Sequence, residues 1–322
     1  MAFTPRRLLH GTPRLLNAAS AEDACHELFT RFGNSPISTR SQLLDANQLH
    51  LLNITLNRTP TTSLPPKDGT PLPPGYHLVY FTPSIQGNEL GQDGTDRTVN
   101  PMRPFTRRMW AGGELEWSRA SGAALRIGQI VQETTKLISA EAKMSKTGAE
   151  MLVVGVEKTF ENDSGIALTD RRSWIFQKEI TTPIPVPPRP MKKPFVDLGT
   201  GEGVQYRDFR QSPVSLFRFS ALTFNGHKIH FLPEWCREVE GHRDAVVHGP
   251  LNLINILNLW RDSRGGIGGG VAPKRVQYRA VSPIYVGEDY RIVLKEDTGG
   301  NESQAELWDC FGKVGMKATI EA

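Results

Sequence analysis

An α+β fold, with antiparallel sheet wrapped around a buried helix and the unit present twice, is predicted by three features of the sequence. Four segments near the C-terminus alternate with period two: Val276, Tyr278 and Ala280; Tyr290, Ile292 and Leu294; Leu307 and Asp309 against Trp308 and Cys310; Met316, Ala318 and Ile320. Such alternation suits strands that bury one face and show the other to water. Just before them, Leu251 to Trp260 is apolar on nearly every side and follows Pro250, as a helix buried all round requires. The third feature is length. The 322 residues exceed one ordinary domain, and the N-terminal half repeats the pattern of an irregular stretch followed by strand-like runs.

Taken in order, Ala21 to Asn57 reads as helix and loop, and Thr59 to Pro74 holds six prolines and reads as turns. Leu78 to Phe81 is short and apolar and predicts a strand, as do Gln129 to Ile138, Met151 to Phe160 and Arg172 to Gln177. Pro183, Pro185, Pro187, Pro188, Pro190 and Pro194 exclude helix and central strand, so this stretch predicts a stiff linker. The expected organisation is a tail over 1–20, a first unit over 21–182, a linker over 183–205 and a second unit over 206–322. A long helix held in a curved antiparallel sheet is the hot-dog arrangement, and two such units make a double hot-dog. The glycines at 265, 266, 268, 269 and 270 resemble a phosphate loop only superficially. No GxxxxGK[ST] is present, and they follow a helix rather than a strand, so a helix-to-strand loop is expected.

Composition excludes several functions. No apolar run reaches the roughly 18 residues of a membrane span. Cys25, Cys236 and Cys310 are odd in number and far apart, which supports neither a disulfide scaffold nor a structural zinc site. The net charge of +4 falls to +1 beyond Ser20, because Arg6, Arg7 and Arg14 precede the first acid, Glu22. A near-neutral body lacks the broad basic surface of a nucleic-acid binder. The acid-free stretch Met1 to Ser20 has the composition of a mitochondrial transit peptide, whereas Pro5, Gly11 and Pro13 would interrupt its amphipathic helix. A mitochondrial address and a basic tail on a cytoplasmic protein both stand.

The main chemical signal is a group of histidines. His227, His230, His242 and His248 fall within 22 residues. A histidine beside a polar partner is the usual group for giving and taking protons near neutrality. Metal binding competes, since His227 and His230 lie three apart, but no HExxH is present and no metal is expected. His242, between Gly241 and Arg243, reads as a solvated loop residue.

The residues around these histidines carry a resemblance. Phe219-Ser-Ala-Leu-Thr-Phe-Asn-Gly-His-Lys-Ile-His230 resembles the SGDxNPxH strand-to-helix motif of the MaoC-like and type 2 enoyl-thioester hydratases. Val246-Val-His-Gly-Pro-Leu251 resembles that family's second motif, in which a His-Gly pair opens the central helix. Asn225-Gly-His-Lys-Ile-His230, Val239-Glu-Gly241, Leu72-Pro-Pro-Gly75, Glu89-Leu-Gly-Gln-Asp-Gly94 and Arg107-Arg-Met-Trp-Ala-Gly-Gly113 are similar to the branch holding fungal mitochondrial 3-hydroxyacyl-thioester dehydratases and mesaconyl-CoA hydratase-like proteins. The resemblance spans roughly residues 70 to 320.

It implies a hydratase/dehydratase acting on a thioester of coenzyme A or acyl carrier protein, without a redox cofactor, and it leaves room for a homodimer. His230 falls on the family's catalytic histidine and Asn225 on its catalytic aspartate. An asparagine cannot ionise, so it can hold water but not act as base. The resemblance assigns acid/base work to His230, water to Asn225 and polarisation of the thioester oxygen to the N–H groups around Gly249. His227 and His248 would line the acyl site, with Trp110. Arg107 or Arg108 would pair with a carrier phosphate. Thioester hydrolysis and a silent acyl-thioester-binding protein are the competing readings, the second favoured by Asn225.

Overall fold

The computed structural model describes residues 19–58, 64–195, 203–265, 271–297 and 299–322. The expected tail up to residue 18, the linker residues 196–202 and the glycines at 266–270 lie outside the described residues.

Helix α1 (Ala21–Phe32) begins at a capping box, in which the Ser20 side chain accepts from the Asp23 N–H and the Asp23 carboxylate accepts from Ser20. Its buried Ala21, Ala24 and Leu28 pack on one flank of the sheet. Strand β1 (Ser38–Leu43) follows, then α2 (Ala46–Thr55), capped by Asp45. Leu78 to Phe81, expected as a strand, is not one: Tyr76–Val79 forms a 3-10 turn. Gly75 enters it at φ 83, and the Leu78 N–H donates to the Gly75 carbonyl. Four apolar residues report burial without reporting period, so a buried turn and a buried strand look alike.

Strands β2 (Arg107–Trp117), β3 (Ile130–Met144), β4 (Glu150–Asn162) and β5 (Gly165–Gln177) complete the first half. The last three cover the expected strand segments, with β3 beginning at Ile130 rather than Gln129. Sequence reading missed β2, because Gly112 and Gly113 sit inside it. Both are there for close approach: a Cβ on Gly112 would lie 2.5 Å from the Tyr278 carbonyl oxygen, and one on Gly113 would lie 2.2 Å from that of Arg171.

The second half runs β6 (Val204–Arg210), α3 (Pro213–Leu222), α4 (Pro233–Glu238), α5 (Gly249–Ser263), β7 (Arg275–Ala280), β8 (Asp289–Glu296), β9 (Glu302–Asp309) and β10 (Val314–Glu321). Every residue of α5 from Leu251 to Arg261 is buried. The alternating segments are strands as expected; along β9, Ser303, Ala305, Leu307 and Asp309 point inward.

All strands join one antiparallel sheet of ten, in the order β1-β3-β4-β5-β2-β7-β10-β9-β8-β6. Numbered within its own half, each set of five runs 1-3-4-5-2, and the halves meet where β2 pairs with β7. The same topology twice is the double hot-dog. The halves differ between their first and second strands. The second half places α5 there, packed on β6, β8 and β9, while the first has α2 and short 3-10 turns. A single core unites them, with Tyr76, Leu49 and Leu52 of the first half beside Leu253, Ile256 and Trp260 of α5. Among the described residues, no helix is long and apolar enough to cross a membrane.

Candidate active site

A cavity of about 460 Å³ lies where the halves meet, within the usual size of a small-molecule site. Its lining includes His227, His230 and His248 from the second half and Arg107, Arg108, Trp110 and Trp174 from the first.

The chain reaches His230 through a tight turn. Phe224 adopts φ 47, and the Asn225 side-chain carbonyl accepts from the His227 N–H at 3.0 Å. That engages Asn225 Oδ1 in an Asx turn and leaves its amide NH2 as the donor beside the cavity. The first half braces this turn. Lys228 N–H donates to the Asp93 carbonyl at 2.8 Å, and Lys228 Nζ to the Gln92 carbonyl at 2.7 Å. A Cβ on Gly94 would lie 2.0 Å from the Gly226 carbonyl oxygen. The Glu89–Gly94 and Asn225–His230 motifs, 136 positions apart at the Lys228–Gln92 contact, therefore form one surface.

His230 Nδ1 lies 2.7 Å from the Val246 carbonyl, which only accepts, so Nδ1 carries the proton and Nε2 a lone pair. Its ring stacks on His248 at 3.7 Å, and His227 meets it edge-on at 5.4 Å. Burial pushes His230 down to about 4, against the pull of the Val246 carbonyl. It also drives His227 and His248 well below their ordinary range, helped by the neighbouring imidazoles. All three are therefore neutral at pH 7. His248 Nε2 is 2.9 Å from the Ser220 hydroxyl, and His227 Nε2 is 3.7 Å from the Asp93 carboxylate.

His248 caps α5, whose second residue, Pro250, has no N–H. The Gly249 N–H engages no backbone acceptor among the described residues, as expected at a helix start. Only glycine fits there, because a Cβ would lie 2.1 Å from Trp110 Cε3. Thus Trp110, from β2, roofs the helix N-terminus.

The two arginines differ. Arg107 Nε pairs with Glu240 at 3.1 Å, tying the halves together, and its Nη1 donates to Gln177 at 3.0 Å. Arg108 has no hydrogen bond or ion pair among the described residues and lies over the Trp174 ring at 5.1 Å. His242, expected in solvent, is half-buried: it lines the cavity and its Nδ1 lies 3.1 Å from the Tyr285 hydroxyl, because the loop carrying it folds over the site.

Sequence reading missed the polar groups at the first-half end of the cavity. His77 Nε2–H donates to Asp170 at 3.1 Å, and Arg172 grips the same oxygen at 2.6 and 2.8 Å. Lys158 Nζ donates to Glu133 at 3.0 Å. Although burial alone would raise it, Arg172 and His77 hold the Asp170 carboxyl below the usual carboxylate range. The available signal was the charged run Asp170-Arg-Arg172 inside a strand-like segment. Among the described residues, no three His, Cys, Asp or Glu side chains converge as a metal site.

A protein-family model described as hydroxyacyl-thioester dehydratase type 2 matches residues 75–286. A mesaconyl-C(4)-CoA hydratase of Chloroflexus aurantiacus is 28% identical, the alignment covering 81% of this chain and 87% of that protein. A mitochondrial hydroxyacyl-thioester dehydratase type 2 of Schizosaccharomyces pombe is 24% identical over 70% of this chain and 79% of its own. Among solved structures, a MaoC-like dehydratase from Phytophthora capsici superposes with a TM-score of 0.62 at 16% identity, covering 90% of this chain and 96% of that one. A Mycobacterium tuberculosis protein described as a double hotdog fold superposes at 0.53 with 11% identity, covering 89% and 96%. At these identities the structural likenesses speak for the fold.

Proposed function

This chain belongs to the hydroxyacyl-thioester dehydratase type 2 family, and from that premise we propose that it is a hydro-lyase that reversibly adds water across the double bond of an enoyl thioester. The observation that carries the reading is His230, a neutral imidazole with a bare Nε2 that lines the inter-half cavity together with Gly249 at the start of α5.

In the hydration direction, the Asn225 amide NH2 holds a water whose proton His230 Nε2 takes as the oxygen bonds to the β carbon. The electron pair of the double bond moves toward the thioester oxygen, where the Gly249 N–H meets the developing charge. The imidazolium then returns the proton to the α carbon. Water has been added as hydroxyl at Cβ and hydrogen at Cα, and the base is restored. One base suffices, which accommodates an asparagine at position 225. Dehydration is the same path reversed. Catalysis is assigned to the second half, which begins with β6 at Val204, two residues before the expected boundary, with the half over 21–182 completing the acyl site and the proline-rich stretch from residue 183 linking them. Coenzyme A or acyl carrier protein serves as the thioester's handle.

Incubation of the protein with a panel of enoyl-CoA thioesters tests this. Loss of enoyl absorbance without release of free thiol is expected. Thiol release would mean hydrolysis, and binding without turnover would mean a silent module; either would replace the reading. We also assign the protein to the mitochondrion, supported by the fungal relatives named as mitochondrial and by the acid-free Met1 to Ser20. Imaging a fusion with and without residues 1–20 tests that assignment.

A further inference from the structure

The groups assigned to catalysis, His230, Asn225 and Gly249, all come from the second half, and the turn from Asn225 to His230 holds no acid. The first half brings a carboxylate to that turn. Asp93 is clamped there by its backbone: its carbonyl accepts from the Lys228 N–H at 2.8 Å, the Gln92 carbonyl accepts from Lys228 Nζ at 2.7 Å, and Gly94 packs on Gly226. Its side chain is fixed as well. Oδ1 accepts from the Thr95 N–H at 3.0 Å and from the Thr95 hydroxyl at 2.7 Å, and Oδ2 faces His227 Nε2 at 3.7 Å. Among the described residues, no hydrogen bond engages Oδ2 or either ring nitrogen of His227.

A carboxylate oxygen at that distance repels a lone pair and attracts an N–H, so it holds the His227 proton on Nε2. The ring stays neutral, because it is buried and Arg108 and Arg107 act against a second proton. Nδ1 is then the nitrogen with the lone pair, on a ring that lines the cavity with its centroid 5.4 Å from that of His230. One water bridges such a pair of rings through two hydrogen bonds of about 2.8 Å. A water poised for attack needs this second acceptor. One of its lone pairs is aimed at the β carbon and the other accepts from the Asn225 amide, while one proton goes to His230 Nε2. Its second O–H, left without an acceptor, would let the attacking lone pair swing off line. We propose that His227 Nδ1 accepts this second O–H, and that Asp93, reaching across from the other half, is the positioning residue that makes Nδ1 an acceptor by keeping the proton on Nε2. This rests on the enoyl-thioester reading above and adds no proton transfer to it. The O–H that His227 holds stays on the oxygen and becomes the product hydroxyl.

Two measurements on the full chain test this. The tautomer is read in substrate-free protein labelled with nitrogen-15 histidine, from long-range proton–nitrogen correlations assigned through the His227 backbone resonances. Wild type is expected to carry the proton on Nε2. Asp93→Asn, which keeps its side-chain oxygen on Thr95 and turns an NH2 toward His227, should move it to Nδ1. Steady-state hydration is the second readout. Asp93→Asn is expected to lower kcat about 100-fold with KM nearly unchanged, since only the aim of the water is lost. Two substitutions of the ring separate aim from packing: His227→Asn sets an oxygen where Nδ1 stood and should stay within about 10-fold of wild-type kcat, whereas His227→Gln reaches only the Nε2 position and should lose about 100-fold. A wild-type proton on Nδ1 overturns the proposal whether or not the variants fold. So does an Asp93→Asn variant with wild-type kcat, or an equal loss in His227→Asn and His227→Gln, which would assign the ring to packing. Because the tautomer is read without substrate, a proton on Nε2 alongside absent hydration would sink the hydratase reading and leave the pairing of Asp93 with His227 standing.

Discussion

His230 is suited to act as a base because of where its two nitrogens are. The Val246 carbonyl fixes the proton on Nδ1, and burial keeps Nε2 bare down to about pH 4. The folded-state value is depressed below the ordinary 6.5, so acid must overcome burial before it removes the base. The ratio kcat/KM is therefore expected to stay level from about pH 8 to pH 6 and to fall by half only near 4. An inflection near 6.5 would contradict the buried, neutral imidazole. Stability moves in the same direction. Between about 6.5 and 4 the unfolded chain binds a proton at this position and the folded chain does not, so stability falls as pH drops through that window. At pH 5 this histidine alone accounts for about 2 kcal/mol. Much of this scale was legible in the sequence, because His227, His230, His248 and Gly249 sit in local motifs. What a motif cannot carry is the pairing of His77 with Asp170, set 93 positions apart, or the isolation of Arg108, which depends on what β5 places opposite it.

At the level of elements, the site depends on two close approaches that only glycine permits. Gly249 lets Trp110 lie against the start of α5, and Gly94, at φ 82, lets the first half's loop touch Gly226. Gly94→Ala would force a Cβ onto the Gly226 carbonyl from a backbone conformation that alanine resists. It should lower stability by about 1–3 kcal/mol and reduce kcat/KM by roughly 10-fold, by shifting the turn that carries Asn225 and His230. Urea unfolding and steady-state kinetics on the same variant check both; an unperturbed Gly94→Ala would mean that the loop does not brace the site. Helix α5 and the alternating strands were readable because their burial is periodic or complete over many residues. Strand β2 was not, since its glycines answer to neighbouring strands, and Leu78 to Phe81 was too short for its period to show.

Across the whole molecule, duplication explains both the architecture and the site. Each half follows the strand order 1-3-4-5-2, and joining them through β2 and β7 makes one sheet with the cavity at the seam. The second half keeps a long central helix whose start presents a free amide. In the first half, α2 and short 3-10 turns take that place, and Arg108, Lys158 and Arg172 line the cavity on that side. The difference between the halves was visible in part from sequence, because the histidines lie in the second half alone among the matched motifs. That the first half contributes charge rather than a plain apolar wall was not, because those side chains converge only when β2, β4 and β5 align.

The most direct measurement is the hydration rate of His230→Ala beside wild type, on crotonyl-CoA and on a dicarboxylic enoyl-CoA, with circular dichroism confirming that both are folded. The account predicts that wild type consumes at least one of these thioesters and that the variant loses about 10³-fold in kcat/KM, within the range a general acid/base contributes. A folded variant that keeps most of the wild-type rate would contradict it.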